Sequence, residues 1–474
     1  MPDSDFLEAL EHAARWSARY LREVGDLPVL ARTEPGEIRS LLPDLPPEEG
    51  VPMDAILADF EGQILPGVTH WNHPAFHGYF AVTGSGPGII GELLSATLNL
   101  NAMVWRASPA GTELEAHTLD WLRILLGLPE DHFGVIQDTA SSSSLVALAA
   151  AREVAYPGLR DTGLAGRPRG RIYTSGEAHS SIDKAALTLG LGREGVRHIA
   201  VDDAFRMRPD ALRTAIREDR HAGVQPVAIV ATLGTTSTTS VDPIHALARI
   251  AAEEEIWLHV DAAYAGPVAM LPEHRALFAG WESADSIVVN PHKWLFTPID
   301  CSVLYTRRPE RVREAFSLTP EYLRTGEDGV TNLMDYGVAL GRRFRALKLW
   351  MVIRYFGAAG LRERIRAHIR MAGAFAEWVG AEPGWEVVAP HPFATVVFRW
   401  VGGAETGRDD DDVDRRNLDV MEAANATGRV FISHTRVGGR IALRLSVGNL
   451  RTTPERVRES WETLREAAHE VSRE

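Results

Sequence analysis

The chain has 474 residues, of which 45% are hydrophobic and 24% charged, so it is long enough for two globular domains with full cores. Its 64 acidic residues outnumber its 50 basic ones, and the net charge of −14 argues against a nucleic-acid-binding surface. The single cysteine, Cys301, excludes an intramolecular disulfide and zinc sites built on several cysteines. The acidic N-terminus is unlike a signal peptide and no apolar run reaches about 18 residues, so we expect a reduced, cytoplasmic protein that does not bind membranes.

The elements of regular structure can be predicted in chain order. Residues 4–24 are typical of one helix, whereas the proline-rich stretch 41–52 cannot be regular. Helical patterns then alternate with short apolar runs, at 134–137, 171–175, 227–232, 256–260 and 286–289. A long helical pattern follows after residue 345, and then come two alternating runs, 395–400 and 441–447, with an acidic stretch at 409–414 that we expect to be a solvated loop. This order predicts an α/β fold, with a mostly parallel sheet in a large domain and a smaller α+β C-terminal domain.

The first central strand leads into a candidate phosphate site. Residues 134–137 are followed by Thr139, Ala140 and Ser141, which open a helix of good helix formers. Small residues allow a ligand to approach the backbone, and the free N–H groups of a helix N-terminus favour a phosphate. An ordinary helix cap is the alternative interpretation of this motif alone.

The next strand leads to a histidine at the same edge of the sheet. His179 follows the run 171–175, and Ser180 with Asp183 fits a capping box that starts a helix there. Open α/β sheets bind ligands at the carboxyl ends of their strands, so His179 is a candidate for the site. A lone histidine at such a place is more often structural.

Two strands further along, an acidic and a basic residue follow buried runs. Asp261 comes after 256–260, and a buried carboxylate is costly unless a cation meets it. Lys293 follows 286–289, and a lysine amine forms a Schiff base with an aldehyde. If the Asp261 motif is considered by itself, a salt bridge to a nearby arginine or lysine is the alternative interpretation. One ligand would use all four groups, namely pyridoxal 5′-phosphate. Its phosphate suits the helix N-terminus, its ring suits a flat contact with His179, its aldehyde suits the lysine amine, and its pyridinium nitrogen needs an acidic partner.

At this point the chain resembles a known family, the group II pyridoxal-phosphate decarboxylases of the aromatic-L-amino-acid decarboxylase type. The motifs that carry the resemblance are ASPAGTELE (107–115), SLVALAAAR (144–152), AHSS (178–181), ATLGTTS (231–237), IWLHVDAAYAG (256–266), NPHKW (290–294), GRRFRALKLW (341–350) and ALRLSV (442–447). They cover nearly the whole chain beyond about residue 65, and HVDAAYAG with NPHKW is a specific pair.

The resemblance implies a fold type I enzyme that forms a homodimer with active sites at the interface. It also implies three segments, which are an N-terminal helical segment (1–75) packing on the partner subunit, a large cofactor-binding domain (76–350) and a small C-terminal domain (351–474).

The resemblance further assigns roles to individual residues. Lys293 corresponds to the Schiff-base lysine, Asp261 to the pyridinium partner and His179 to the histidine stacked on the cofactor ring. The expected phosphate contacts are Ala140, Ser141, Asn290 and His292, with Thr139 as a further candidate, and the expected ring neighbours are Thr232 and Ala263. The expected substrate-pocket residues are Trp71, Tyr79, Val82 and Thr83 within a lip that runs to residue 85, and Asn101 and Met103 where the family's partner subunit contributes.

The implied reaction is decarboxylation of an aromatic amino acid, such as tyrosine, tryptophan, phenylalanine or dopa, to its amine and CO2. In the family a tyrosine on a mobile loop returns the proton, and 325–337 is predicted to be this lid with Tyr336 as the tyrosine. The gap from Tyr336 to GRRFR is shorter than in animal members, and Val82 replaces a hydroxyl residue of those members. Loss of the tyrosine shifts the family's products toward aldehydes.

Several alternatives remain open at this stage. The same scaffold could serve an aromatic aldehyde synthase, or a decarboxylase of glutamate or 2,4-diaminobutyrate, and a chain of this shape could be an interaction protein without turnover. Residues 86–91 fit a dinucleotide fingerprint, but Pro87 occupies its turn. His70, His73 and His77 have a spacing that suggests a metal, but Pro74 breaks the helix that would align them, so we expect no metal and place them at the pocket lip.

Overall fold

The computed structural model describes residues 2–80, 82–318, 329–402 and 410–473. The chain divides into two compact units: a larger one within Val82–Ala376 and Val387–Val397, and a smaller one within Met1–Ala81, Glu377–Glu386 and Phe398–Glu474. Residues of the expected N-terminal segment and of the expected C-terminal domain thus share the smaller unit. The boundaries expected at residues 75 and 350 stay predictions.

The larger unit is built on a seven-stranded sheet. Its strands are β1 (Phe133–Gln137), β2 (Gly170–Ser175), β3 (Val196–Ile199), β4 (Gln225–Thr232), β5 (Trp257–Asp261), β6 (Ser286–Val289) and β7 (Ser302–Thr306). Their order is β1-β7-β6-β5-β4-β2-β3, and only β7 runs antiparallel to its neighbours. The predicted α/β fold with a mostly parallel sheet is therefore confirmed. All five predicted runs are strands, whereas β3 and β7 were not predicted.

The register of the central strands determines which residues meet at the carboxyl edge. Thr232 at the end of β4 is paired with Asp261 at the end of β5, and Asp261 is paired with Val288 of β6. Neighbouring strands lie about 4.8 Å apart, so residues that follow these three strands begin within one or two strand spacings of each other. The strands are apolar and buried along their length because helices cover both faces of a parallel sheet.

Fifteen α-helices occur in the described part of the chain. Their bounds are α1 (Asp3–Glu23), α2 (Glu37–Leu41), α3 (Met53–Asp59), α4 (Gly86–Leu98), α5 (Pro109–Leu126), α6 (Ala140–Ala155), α7 (Leu159–Thr162), α8 (Ser181–Thr188), α9 (Pro209–His221), α10 (Ile244–Glu254), α11 (Pro291–Trp294), α12 (Pro309–Phe316), α13 (Arg345–Ala381), α14 (Asp410–Ala426) and α15 (Pro454–Val471). The long helix α13 is interrupted at Gly357, whose φ of 63° is in the left-handed region that glycine tolerates. None of the helices in the described ranges is both long enough and apolar enough to cross a bilayer.

The N-terminal predictions agree with the structure. Helix α1 covers the predicted 4–24 within one residue at each end, and the stretch 41–52 contains no helix or strand apart from Leu41, the last residue of α2. Four prolines in this stretch remove backbone donors and disfavour the helical conformation of the residue before each one.

The acidic stretch 409–414 is a correction. Asp409 lies outside the described residues, but Asp410, Asp411 and Asp412 form the first turn of α14 rather than a loop. Carboxylates at a helix N-terminus interact favourably with the helix dipole, and Asp412 also pairs with Arg416 one turn further on (3.1 Å).

A second sheet has four strands, which are β8 (Trp385–Val387), β9 (Thr395–Trp400), β10 (Ser433–Val437) and β11 (Arg440–Ser446). Their order is β10-β11-β9-β8, and β10 pairs with β11 in antiparallel register. The two alternating runs predicted at 395–400 and 441–447 are confirmed as β9 and β11.

Candidate active site

The backbone around Lys293 is held on both sides. Strand β6 leads to Asn290, whose N–H donates to the Ala263 carbonyl (3.1 Å), and then to the single helical turn α11. Trp294 is buried, stacks on Tyr264 (4.8 Å between ring centroids, 5° between planes) and donates from Nε1 to His368 Nδ1 (2.9 Å). These contacts fix the turn, so Lys293 is presented from a rigid element, with its side chain half-buried.

Asp261 lies at the adjacent strand end. It is the last residue of β5, is only 7% exposed, and accepts the Ala263 N–H at Oδ1 (3.0 Å). The carboxylate is therefore oriented by its own turn. A buried carboxylate in this position favours a cationic partner.

His179 lies between the end of β2 and the start of α8. Its Nδ1 accepts the Ser181 N–H (3.2 Å) and contacts the Ser181 hydroxyl (2.9 Å), so in the neutral ring the proton is on Nε2. The predicted capping box does not form, because Ser180 has a helical conformation and no side-chain capping bond. The imidazole of His179 satisfies the first helical N–H instead.

The charges of Lys293 and Asp261 both act on His179. Burial lowers the pKa of His179, Lys293 and Lys184 lower it further, and Asp261 raises it. Strands β2, β4, β5 and β6 are successive neighbours in the sheet, so the strand ends that carry His179, Asp261 and Lys293 lie along the same edge.

The N-terminus of α6 is positioned by β1. Thr139 has the extended conformation of a helix cap, but its hydroxyl contacts Asp138 (3.3 Å) rather than a helical N–H. The N–H groups of the first turn, from Ala140 onward, have no partner inside the helix. Ser141 is exposed at this end. This sixteen-residue helix therefore offers backbone donors of the kind that bind phosphate.

Two buried polar atoms test whether a cofactor fits here. Thr232 Oγ1, at the end of β4, and Asn290 Oδ1, just after β6, have no hydrogen-bond partner among the described residues. Leaving such an atom unpaired costs about 1–3 kcal/mol, so partners from a bound group are expected. With an amine, a carboxylate, a histidine and a helix N-terminus around them, these residues fit pyridoxal 5′-phosphate.

A buried polar chain beneath Asp261 was not predicted. The Trp257 indole N–H donates to Ser286 Oγ (2.8 Å), which contacts His259 Nδ1 (2.9 Å), and His259 Nε2 contacts Ser144 Oγ (3.1 Å). His259 and Asp261 are two residues apart on one strand and so share a face of the sheet. The only sequence signal was a histidine inside an apolar run.

A second unpredicted residue supports Thr232. The buried Asp242 accepts the Thr232 N–H at Oδ2 (2.8 Å) and the Met207 N–H at Oδ1 (2.7 Å). Burial raises the pKa of Asp242 to about 6, while these two bonds lower it. The position of Thr232 therefore depends on a carboxylate ten residues further along the chain.

Tyr336 packs against strand β1. Its ring packs on Phe133 (4.7 Å between centroids), and its carbonyl accepts from Gln137 Nε2 (2.8 Å). Burial raises the pKa of Tyr336, and the charges that act on it are those of Arg313, Asp335 and Glu310. Of the predicted lid, residues 325–328 lie outside the described residues, and Leu333–Tyr336 is a short 3₁₀ turn.

The predicted substrate-pocket residues fall into three places. Trp71 and Tyr79 stack on each other in the smaller unit (5.8 Å between centroids, 18° between planes) and are partly exposed. Val82 and Thr83 begin the larger unit, and Thr83 Oγ1 is buried without a partner in the described chain.

The third place holds Asn101 and Met103. Asn101 is exposed, and its Oδ1 accepts the Arg342 N–H (2.9 Å). The Met103 carbonyl accepts the Met334 N–H (3.0 Å). Both residues therefore border the segment that contains Tyr336.

The three N-terminal histidines are buried structural residues rather than residues of a pocket lip. His70 Nδ1 contacts the Tyr20 hydroxyl (3.0 Å). His73 Nδ1 accepts the Ala75 N–H (3.0 Å), and His77 contacts the Ser446 carbonyl and the Ser460 hydroxyl (3.1 and 3.2 Å). Their ring nitrogens hold turns of the smaller unit.

Acid should destabilise this protein before its carboxylates are protonated. Burial lowers the pKa of four histidines to about 4, namely His73, His77, His259 and His292. Between about pH 6.5 and 4 the unfolded chain binds these protons and the folded chain does not, so the free energy of unfolding falls as pH falls, by about 1.4 kcal/mol per pH unit for each histidine. The raised pKa of Asp242 makes the free energy of unfolding rise as pH falls, but this single group opposes four histidines.

Urea titrations of the holoenzyme between pH 7 and 5 measure this slope. His77→Gln should flatten it by about one proton. Equal stability of the parent protein at pH 7 and pH 5 would contradict the assignment.

Comparison with known proteins agrees with this geometry. Residues 35–401 match the family described as the pyridoxal-dependent decarboxylase conserved domain. The chain is 39% identical to phenylacetaldehyde synthase of Arabidopsis thaliana, over 98% of this chain and 96% of that protein, and 40% identical to tyrosine decarboxylase 2 of the same plant, over 94% and 83%. The crystal structure of Oryza sativa TDC with PLP and tryptamine superposes with a TM-score of 0.96 at 38% identity, over 99% of both chains. With pyridoxal 5′-phosphate as its cofactor and decarboxylation as its reaction class, the chain belongs to the pyridoxal-dependent decarboxylase family.

Proposed function

We propose that this protein decarboxylates an aromatic L-amino acid to the corresponding amine and CO2. The observation that carries the proposal is near-full-length similarity to a tyrosine decarboxylase and to a rice enzyme whose structure contains tryptamine. Identity of 38–40% over at least 94% of the chain supports the same substrate class rather than only the same fold.

The proposed roles follow from where the side chains lie. When bound, pyridoxal 5′-phosphate supplies an aldehyde that can link to an amine and an electron-withdrawing ring that stabilises negative charge next to it. Lys293 would hold the aldehyde end. Asp261 keeps a proton on the ring nitrogen at the other end, and each unit of pKa by which it favours that proton is worth about 1.4 kcal/mol.

His179 and the helix N-terminus complete the proposed cofactor site. The imidazole of His179 would stack on the cofactor ring, and its Nε2–H is available to the substrate carboxylate because Nδ1 is occupied by Ser181. The first-turn N–H groups at Ala140 and Ser141 bind the phosphate, with Thr139 at the cap. Thr232 and Ala263 flank the ring.

The experiment that tests the proposed function is a substrate panel. The purified protein, saturated with pyridoxal 5′-phosphate, is incubated with tyrosine, tryptophan, phenylalanine, dopa, glutamate and 2,4-diaminobutyrate, and amine, aldehyde and peroxide are measured together. Amine from at least one aromatic substrate, with little from the other two, is the expected result. Amine from glutamate or diaminobutyrate alone would overturn the proposed substrate class.

Aromatic aldehyde synthesis is a second candidate, favoured by the similarity to a phenylacetaldehyde synthase. The two reactions share the loss of CO2 and differ in whether a proton is returned to the carbon that lost it. The panel distinguishes them, because aldehyde synthesis consumes oxygen and releases peroxide.

On the proposed assignment, Tyr336→Phe leaves cofactor binding intact and makes aldehyde the main product. The ring of Tyr336 packs on Phe133. The matched variant is Tyr322→Phe, because Tyr322 is the other tyrosine between α12 and GRRFR. The ratio of amine to aldehyde made by each variant shows which of the two tyrosines returns the proton. Normal amine production by Tyr336→Phe, with aldehyde from Tyr322→Phe, would transfer the role to Tyr322.

The substrate-pocket roles remain proposals of the same kind. In the smaller unit the stacked Trp71–Tyr79 pair supplies a flat apolar surface suited to an aromatic side chain, and in the larger unit Val82 and Thr83 are separate candidates for substrate contact. Asn101 and Met103 are contributed across the subunit interface.

A homodimer is proposed on the basis of an uncovered apolar stripe on α4. Its members recur at helical spacing and are 41–61% exposed, namely Ile90, Leu93, Leu94 and Leu98. Apolar side chains in such a row are typical of a surface that another chain buries. A second copy is the proposed partner, and the active sites lie at this interface.

Placing charge in this stripe should separate the subunits. Leu94→Asp is expected to give a monomer at micromolar concentration in analytical ultracentrifugation, because an unpaired carboxylate would be buried in the interface. Leu187→Asp, which changes an exposed leucine on α8, is the control and should remain dimeric. A parent protein that sediments as a monomer would refute the proposal.

The cytoplasmic location is also a proposal. It is supported by the single cysteine, Cys301, which is buried and free, as expected in a reducing compartment. Subcellular fractionation of the producing cells tests it.

A further inference from the structure

The tautomer of His292 is determined by the backbone. The Cys301 N–H donates to His292 Nδ1 (2.9 Å), and both residues are buried. A backbone amide can only donate, so Nδ1 carries a lone pair and the single proton of the neutral ring is on Nε2. Burial, together with the charges of Lys293 and Lys348, lowers the pKa of His292 to about 4, so the ring is neutral near pH 7.

This tautomer determines the orientation of the Asn290 amide. His292 Nε2 lies 3.2 Å from the Asn290 amide group, and an Nε2–H needs an acceptor, which in an amide is the oxygen. With the nitrogen in that position, two donors would face each other while Oδ1 stays buried without a partner in the described chain. Turning the amide by 180° removes the donor–donor contact. The oxygen then accepts from His292, and the NH2 group occupies the unpartnered buried position.

The location of this NH2 group points to the cofactor. Asn290 precedes the turn that carries Lys293, and its backbone N–H is bonded to Ala263, two residues after Asp261. Lys293 is assigned to the aldehyde and Asp261 to the ring nitrogen. The phosphate is the remaining part of pyridoxal 5′-phosphate with several acceptor oxygens and a negative charge.

We propose that His292 is a positioning residue that acts through Asn290: its Nε2–H holds the amide oxygen so that the amide NH2 donates to the cofactor phosphate. Both nitrogens of His292 are then committed, one to Cys301 and one to Asn290. Neither is left to contact the phosphate directly, which separates this role from the direct contact that the sequence suggested.

The test compares two ligands that differ only in the phosphate. Apoprotein of the full chain is titrated with pyridoxal 5′-phosphate and with pyridoxal, and each Kd is read from visible absorbance. A lost hydrogen bond to a charged group should weaken pyridoxal 5′-phosphate binding by about 10- to 100-fold in Asn290→Ala and in His292→Leu. Pyridoxal, which lacks the phosphate, should change less than about threefold in both.

The double variant shows whether His292 acts through Asn290. The Kd of Asn290→Ala combined with His292→Leu should match that of Asn290→Ala alone, because the histidine has nothing left to position. His292→Gln, which can still donate to the amide oxygen, should recover part of the affinity and serves if His292→Leu does not fold. Additive losses in the double variant, or equal losses for the two ligands, would overturn the proposal.

Discussion

Lys293→Ala should yield a folded protein that retains no visible absorbance once unbound pyridoxal 5′-phosphate has been removed, and that has no decarboxylase activity. The lysine amine is the group that attaches the cofactor aldehyde, so its removal should lower kcat by at least about a thousandfold. Absorbance spectra and amine production measure the two effects. The fold should persist, because Trp294 and Asn290 hold the turn independently of the lysine side chain.

The other lysines provide the control for this variant. The chain has only three, and Lys184 is exposed on α8. Lys184→Arg keeps the charge near His179 and should retain both colour and activity. A coloured, active Lys293→Ala protein would show that another group attaches the cofactor.

Asp261→Asn should leave the cofactor attached but make it a poor catalyst. Asparagine keeps the size of the side chain and loses the negative charge that favours a protonated ring nitrogen. We expect kcat to fall by about 100-fold or more, the scale seen when one preorganised electrostatic contact is removed. The Kd for the cofactor should rise as well, and KM should change less than kcat.

Asp285→Asn is the matched control for this change. Asp285 is a partly buried carboxylate just before β6, at the opposite end of the strands, where it accepts the Leu258 N–H (2.8 Å) and pairs with Arg308 (2.6 Å). Its replacement should lower stability and leave kcat close to the parent value. Similar losses of kcat in both variants would mean that Asp261 has no special role.

The sheet could be predicted because its central strands are continuous apolar runs. Strands β4, β5 and β6 are buried on both faces, and this leaves a clear sequence pattern. The site followed from the same pattern, because ligands bind where parallel strands end. Strands β3 and β7 were missed: β3 has two charged or polar residues in four, and β7 is a short run that follows β6 after only the single helical turn α11.

Features that depend on contacts between distant segments were not predictable. Asp242 and His259 support the site from inside the core, and nothing in their local sequence distinguishes them from ordinary buried polar residues. The capping box at Ser180 matched a sequence rule, but the nearby imidazole of His179 took the helical N–H. The acidic run of α14 satisfied a loop pattern while also fitting the dipole of a helix start.

The most direct test of the central claim is to find which lysine carries the cofactor. Holoenzyme is reduced with sodium borohydride, which makes the lysine–cofactor bond permanent, and the labelled peptide is identified by mass spectrometry. Only Lys184, Lys293 and Lys348 can be labelled, and Lys348 is buried in an ion pair with Glu92. We predict label on Lys293 alone. Label on Lys184 or Lys348, or none at all, would contradict the assignment of this strand end as the catalytic centre.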